Sequence, residues 1–137
     1  MLWLVALLGC ERRAPITTCQ QDLSGEYVAG ERRWAIVDRG AQLEVVPLFA
    51  DVPVVPGLEV APRWIDLERG DTGIAGFVRR RYMRAAATCT AKQPATITAC
   101  ANDAIDIVLA DPSPPLTFAP CTYPRPAGSA RERWVRR

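Results

Sequence analysis

The side chains in this chain that could do chemistry are its carboxylates and cysteines. Histidine is absent, which removes the commonest general base and the commonest metal ligand. Asp66 and Glu68 lie two residues apart, and Asp103 and Asp106 lie beside a turn. Paired carboxylates can cleave a glycosidic bond when they flank it at a set distance. Strand alternation instead puts Asp66 and Glu68 together on a water-facing side. Ser24, Ser113 and Ser129 stand in no G-x-S-x-G context and have no histidine to activate them. No glycine-rich loop precedes a helix to cradle phosphate, and no turn is dense enough in oxygen ligands for calcium. No C-x-x-C spacing offers a zinc or redox site. These residues imply a protein that is not an enzyme and takes no metal or cofactor.

Cys10 has a setting of its own. It closes the uncharged apolar stretch from Met1 to Gly9, and Leu7-Leu8-Gly9-Cys10 resembles the lipobox of bacterial lipoproteins. Nine residues are too few to span a bilayer, which takes about 20. They match the apolar region of a signal peptide, roughly 7–15 residues long, with Gly9 as the small residue before the cut. The basic region that normally opens such a signal is missing. The resemblance implies a signal peptide over 1–9, an acylated Cys10, and a tether over 10–21 leading to one domain over 22–137. Two or more acyl chains hold a protein durably where one does not. Glu11, in place of an aspartate, points to the outer membrane of a bacterial cell envelope.

With Cys10 assigned to lipid, Cys19, Cys89, Cys100 and Cys121 remain. An even set in an exported small domain reads as a disulfide framework, with three possible connectivities. The favoured pairing is Cys89–Cys100 across one hairpin and Cys19–Cys121 joining the two ends of the domain.

The elements that must position these residues read as strands. The 137 residues are 49% hydrophobic and 23% charged, enough for one domain with a real core. The net charge of +2 is too small to argue for nucleic acid as a partner. Asp22 to Ala29, with Gly25 before Tyr27, is similar to the first strand of small lipocalin-like barrels. Trp34 and Ile36 share a face, as do Leu43 and Val45, Ile65 and Leu67, and Ile105, Ile107 and Leu109. Asp38-Arg39-Gly40 and Arg69-Gly70-Asp71-Thr72-Gly73 read as turns, the Arg-Gly-Asp triplet serving turn chemistry rather than adhesion.

Ile74 to Arg84 is a long strand with a bend at Gly76, and Arg80 shares a side with Tyr82. Its basic half reads as a solvated strand end, with an anion-binding ridge as the functional alternative. Ala85–Thr90 and Pro94–Cys100 read as a hairpin around Ala91-Lys92-Gln93, and Arg131 to Val135 as a last strand with Trp134 packed back. No window keeps a helical period. The expectation is an all-β antiparallel meander of about eight strands, a small barrel or a sandwich, stapled by disulfides.

Residues 47–62 differ from the rest. Pro47, Pro53, Pro56 and Pro62 punctuate an apolar run that proline keeps out of a central sheet. The favoured reading is a plug over an open barrel end. The alternative is a binding lip carried by Phe49, Val54 and Leu58. The function expected is therefore a membrane-anchored binding module for a small apolar ligand or an envelope protein. A structural envelope protein with no small-molecule site is the alternative.

Overall fold

The structure is a computed structural model that describes residues 19–48, 52–126 and 128–137. Cys10 and Phe49 lie outside the described residues. Eight strands form a closed antiparallel barrel: β1 (Gly25–Ala29), β2 (Arg32–Asp38), β3 (Gln42–Pro47), β5 (Trp64–Gly70), β6 (Gly73–Arg84), β7 (Ala87–Cys100), β8 (Ala104–Leu109) and β11 (Ala130–Arg136). Each pairs with its neighbour in the chain, and β11 returns to β1 to close the ring. The short β4 (Glu59–Val60) lies beside the far half of β6. A separate two-residue hairpin joins β9 (Thr117–Phe118) to β10 (Cys121–Thr122). There is no helix among the described residues. An eight-stranded meander of this kind is compatible with the resemblance to lipocalin-like barrels.

Alternation along each strand fills the barrel. Tyr27, Trp34, Ile36, Leu43, Val45, Ile65, Leu67, Ile74, Ile105, Ile107 and Trp134 all point inward and are buried. Trp34 and Trp134 stack nearly parallel, ring centroids 4.8 Å apart. An eight-stranded barrel is just wide enough either to be filled by side chains or to hold one small ligand. Two stacked indoles and the aliphatic layers around them take the first course.

The strand pairing overturns two expectations. Residues 87–100 are one strand, so Ala91-Lys92-Gln93 is no turn. Pro94 fits inside it because β7 pairs there only with β6, at Phe77, and the ladder to β8 starts at Ala95. The disulfides are Cys19–Cys100 and Cys89–Cys121, in place of Cys89–Cys100 and Cys19–Cys121. Cys89 and Cys100 sit on the same extended strand, eleven residues and so about 36 Å apart, whereas a bridge needs Cα atoms within about 7 Å. The bridged pairs are 5.6 and 5.8 Å apart at Cα.

Gly76 packs directly against the β5 backbone. A Cβ built on it would lie 1.9 Å from the Asp66 carbonyl oxygen, a backbone atom that cannot swing away. Gly76→Ala should therefore force the two strands apart and cost about 1–3 kcal/mol, as overpacking does. Urea unfolding would show it as a lowered midpoint, and an unchanged midpoint would contradict the close approach.

The two ends of the barrel are unlike. One end has tight turns at 39–41, 70–73 and 101–103, together with Cys19 bonded to Cys100. The other has the long connections, 48–63 and 110–129, and the tip of the β6–β7 hairpin, whose far half extends past the ladder that β7 shares with β8.

Candidate functional site

Among the described residues, the end with the long connections and the outer wall of β3, β5, β6 and β7 are placed to meet a ligand or a partner.

At that end the segment after β8 folds beneath the hairpin extension. The Tyr82 hydroxyl donates to the Pro112 carbonyl at 2.7 Å, the Tyr123 hydroxyl to Thr90 O at 2.9 Å, and Cys121 is bonded to Cys89. This proline-rich arm covers the inner face of the hairpin extension. Residues 52–58 show no such engagement at Val54, which is 95% exposed, so Val54 plugs nothing. Leu58 is half-buried and its N–H closes a turn onto Val55 O at 3.1 Å. The cover that the proline run at 47–62 was expected to give comes in part from the second proline-rich segment instead.

Two arginines are buried at this end. Arg63 is 5% exposed, pairs with Asp111 and lies over the Trp34 ring at 5.2 Å. Arg80 is 7% exposed and lies beside Tyr82. Burial, then the neighbouring Arg63 charge, pushes the Arg80 guanidinium below its ordinary value, and burial raises the Tyr82 phenol. Alternation correctly placed Arg80 beside Tyr82. That side, however, is the inside of the hairpin extension, so Arg80 is no part of a solvated strand end. Arg79 and Arg81, on the other side, are more open to solvent.

The outer wall has a recess of about 670 Å³. Register builds it from two cross-strand rows. One runs Glu44, Asp66, Phe77, Pro94, and the next runs Gln42, Glu68, Ala75, Thr96. Phe77, Ala75 and Pro94 give an apolar floor. Phe77 lies under two cations, the Lys92 ammonium at 4.6 Å and the Arg79 guanidinium at 5.7 Å. Asp66 accepts from Arg79 and from the Trp64 indole, each at 3.1 Å, and Glu44 faces Arg39 at 3.7 Å. Asp66 is thus engaged in holding the wall together, and Asp106 is bonded to Arg133 at 3.0 Å. Asp66 and Glu68 face outward as alternation required. Among the described residues, no group of three Cys, Asp or Glu is placed to hold a metal ion.

Arg69 of the Arg-Gly-Asp triplet is turned inward against Asp38 and is not displayed. The recess escaped the sequence reading because its floor comes from four strands aligned by register. The signal available was alternation, which marks Gln42, Glu44, Ala75 and Phe77 as outward but does not bring them together.

No protein-family model, curated protein or solved structure matches this chain.

Proposed function

We propose that this chain is a lipid-anchored protein of the bacterial cell envelope, held in the outer membrane through acylated Cys10, and that it is a non-catalytic binding module. Its ligand sits on the outer wall of the barrel rather than inside. The observation that carries this reading is the contrast between an interior filled by the Trp34–Trp134 stack and an outer recess of about 670 Å³, within the size range of small-molecule sites. The recess suits a small molecule with one apolar face, laid on Phe77, Ala75 and Pro94, and polar groups that reach Gln42, Glu68 and Thr96. The filled interior also favours a second reading, an interaction protein of the envelope with no small-molecule site. Phe49, Val54 and Leu58 would then belong to the docking edge for an envelope partner.

The indoles separate these readings. Trp64 donates to Asp66 at the edge of the recess, whereas Trp34 and Trp134 are inside. In indole N–H spectra titrated with small envelope metabolites, a bound ligand should shift Trp64 and leave Trp34 and Trp134 in place. Shifts confined to the inner pair would overturn the outer-wall site. A screen in which no indole moves would favour the interaction protein.

A further inference from the structure

The end of the barrel remote from Cys19 presents two uncharged apolar loops on either side of a cationic hairpin tip. Residues 52–58 and 112–120 contain no charged side chain. Each puts one large apolar side chain into water: Val54 is 95% exposed and Leu116 68% exposed. Hydrogen bonding puts both loops beside the β6–β7 hairpin. Ala61 N–H bonds Arg81 O and β4 pairs with Met83, which sets the 55–58 turn next to the tip. Arg84 lies over the Phe118 ring at 5.2 Å, Cys121 is bonded to Cys89, and the Tyr123 hydroxyl donates to Thr90 O at 2.9 Å, which sets the second loop there too. Of the five cations that the hairpin holds from Arg79 to Lys92, Arg80 is buried, and Arg79 and Lys92 lie over Phe77 at the outer wall; exposed Glu59 stands opposite Met83. Arg81 and Arg84 are exposed at its tip.

We propose that this end is a docking surface for an anionic lipid bilayer, separate from the acyl anchor and from the outer-wall recess. Protruding apolar tips gain by leaving water, and arginines beside them gain from phosphate head groups. The two tips stand on separate loops with a charged ridge between them. A fluid interface accepts that relief wherever its points fall, whereas a rigid protein partner needs a matching contour. The charge is complementary to anionic lipid and opposed to a basic surface. Eight residues lie between Cys10 and Cys19, nine Cα steps with a reach of about 30 Å when extended. That length lets a tethered domain tilt until this end meets the anchoring membrane, a second contact that would fix its orientation.

The test uses the chain from residue 10 onward with Cys10→Ser, so that neither an acyl chain nor the apolar stretch 1–9 contributes. It is mixed with nanodiscs of phosphatidylcholine containing roughly 30% phosphatidylglycerol and a nitroxide-labelled lipid. The expected result is paramagnetic broadening of the Val54 and Leu116 methyl signals and none at Val37, which is exposed on the barrel wall. Discs without phosphatidylglycerol should give much less. Val54→Asp combined with Leu116→Asp should weaken disc binding about tenfold or more. Because both side chains are exposed, the near-ultraviolet circular dichroism of the fold should persist. Arg81→Gln should weaken binding about fivefold. Val54 and Leu116 methyls that stay sharp, or binding that survives the double variant, would overturn the docking surface. Either result leaves the outer-wall reading to stand or fall on Trp64.

Discussion

Arg69→Met should lower folding stability by about 3–5 kcal/mol, the cost of leaving a buried charge without its partner. The Arg69 guanidinium donates twice to Asp38, at 2.7 Å each, and also to the carbonyls of Cys19 at 3.1 Å and Gln21 at 3.2 Å. Asp38 accepts in addition from the backbone N–H groups of Leu23 at 3.0 Å and Gly40 at 2.9 Å. One ion pair thus ties the N-terminal segment, the β2–β3 turn and β5 into the closed end of the barrel.

The same group sets a pH dependence. Hydrogen bonding from Arg69 chiefly, helped by Leu23 and Gly40 N–H, holds the Asp38 carboxyl down from 3.8 to about 2. A carboxyl whose folded value lies below its unfolded one stabilises the fold above the unfolded value and loses that contribution as pH falls toward the folded one. About 2 kcal/mol should therefore disappear between roughly pH 4 and pH 2. Urea titrations across that range should show the slope in the native chain and lose it in Asp38→Asn. An equal acid slope in both would contradict this role.

Removing the Cys19–Cys100 bridge should be at least as costly. It closes 81 residues of chain, and chain entropy alone assigns such a loop about 4.5 kcal/mol. The Cys89–Cys121 bridge spans 32 residues, for which the same relation gives about 3.7 kcal/mol. The consequences should also differ in kind. Cys19→Ala with Cys100→Ala frees the N-terminal segment from the core, so the Leu23 methyls and the Tyr27 ring should lose their native shifts. Cys89→Ala with Cys121→Ala frees only the proline-rich arm, so the barrel core should keep its spectrum while Tyr82 and Tyr123 change. Identical thermal losses with identical spectral changes would contradict this division.

The fold could be read from local pattern to an unusual degree because a half-buried sheet writes its faces at period two. Trp34 and Ile36, Leu43 and Val45, Ile65 and Leu67, Ile105 and Ile107, and Trp134 all face the core as alternation required. What stayed hidden depends on contacts far apart in sequence. The disulfide pairing turns on whether β7 is one strand or two, and Pro94 pointed the wrong way because a proline is tolerated where one neighbour is missing. The burial of Arg63 and Arg80 follows from an arm that begins at Asp111, some thirty residues beyond Arg80. The outer recess exists only once Glu44, Asp66, Phe77 and Pro94 are aligned across four strands, and no stretch of sequence holds that alignment by itself.

The central claim, a lipid-anchored and doubly stapled barrel, is tested most directly by the intact mass of the protein isolated from its own membranes, with and without reductant, followed by mapping of the linked peptides. The account predicts a chain that begins at Cys10 and carries acyl groups. Its mass should rise by about four hydrogens on reduction, with cross-linked peptides joining Cys19 to Cys100 and Cys89 to Cys121. An unmodified chain beginning at Met1 with five free thiols would contradict both the anchor and the staples, and its cysteines would then have to be read as reactive groups.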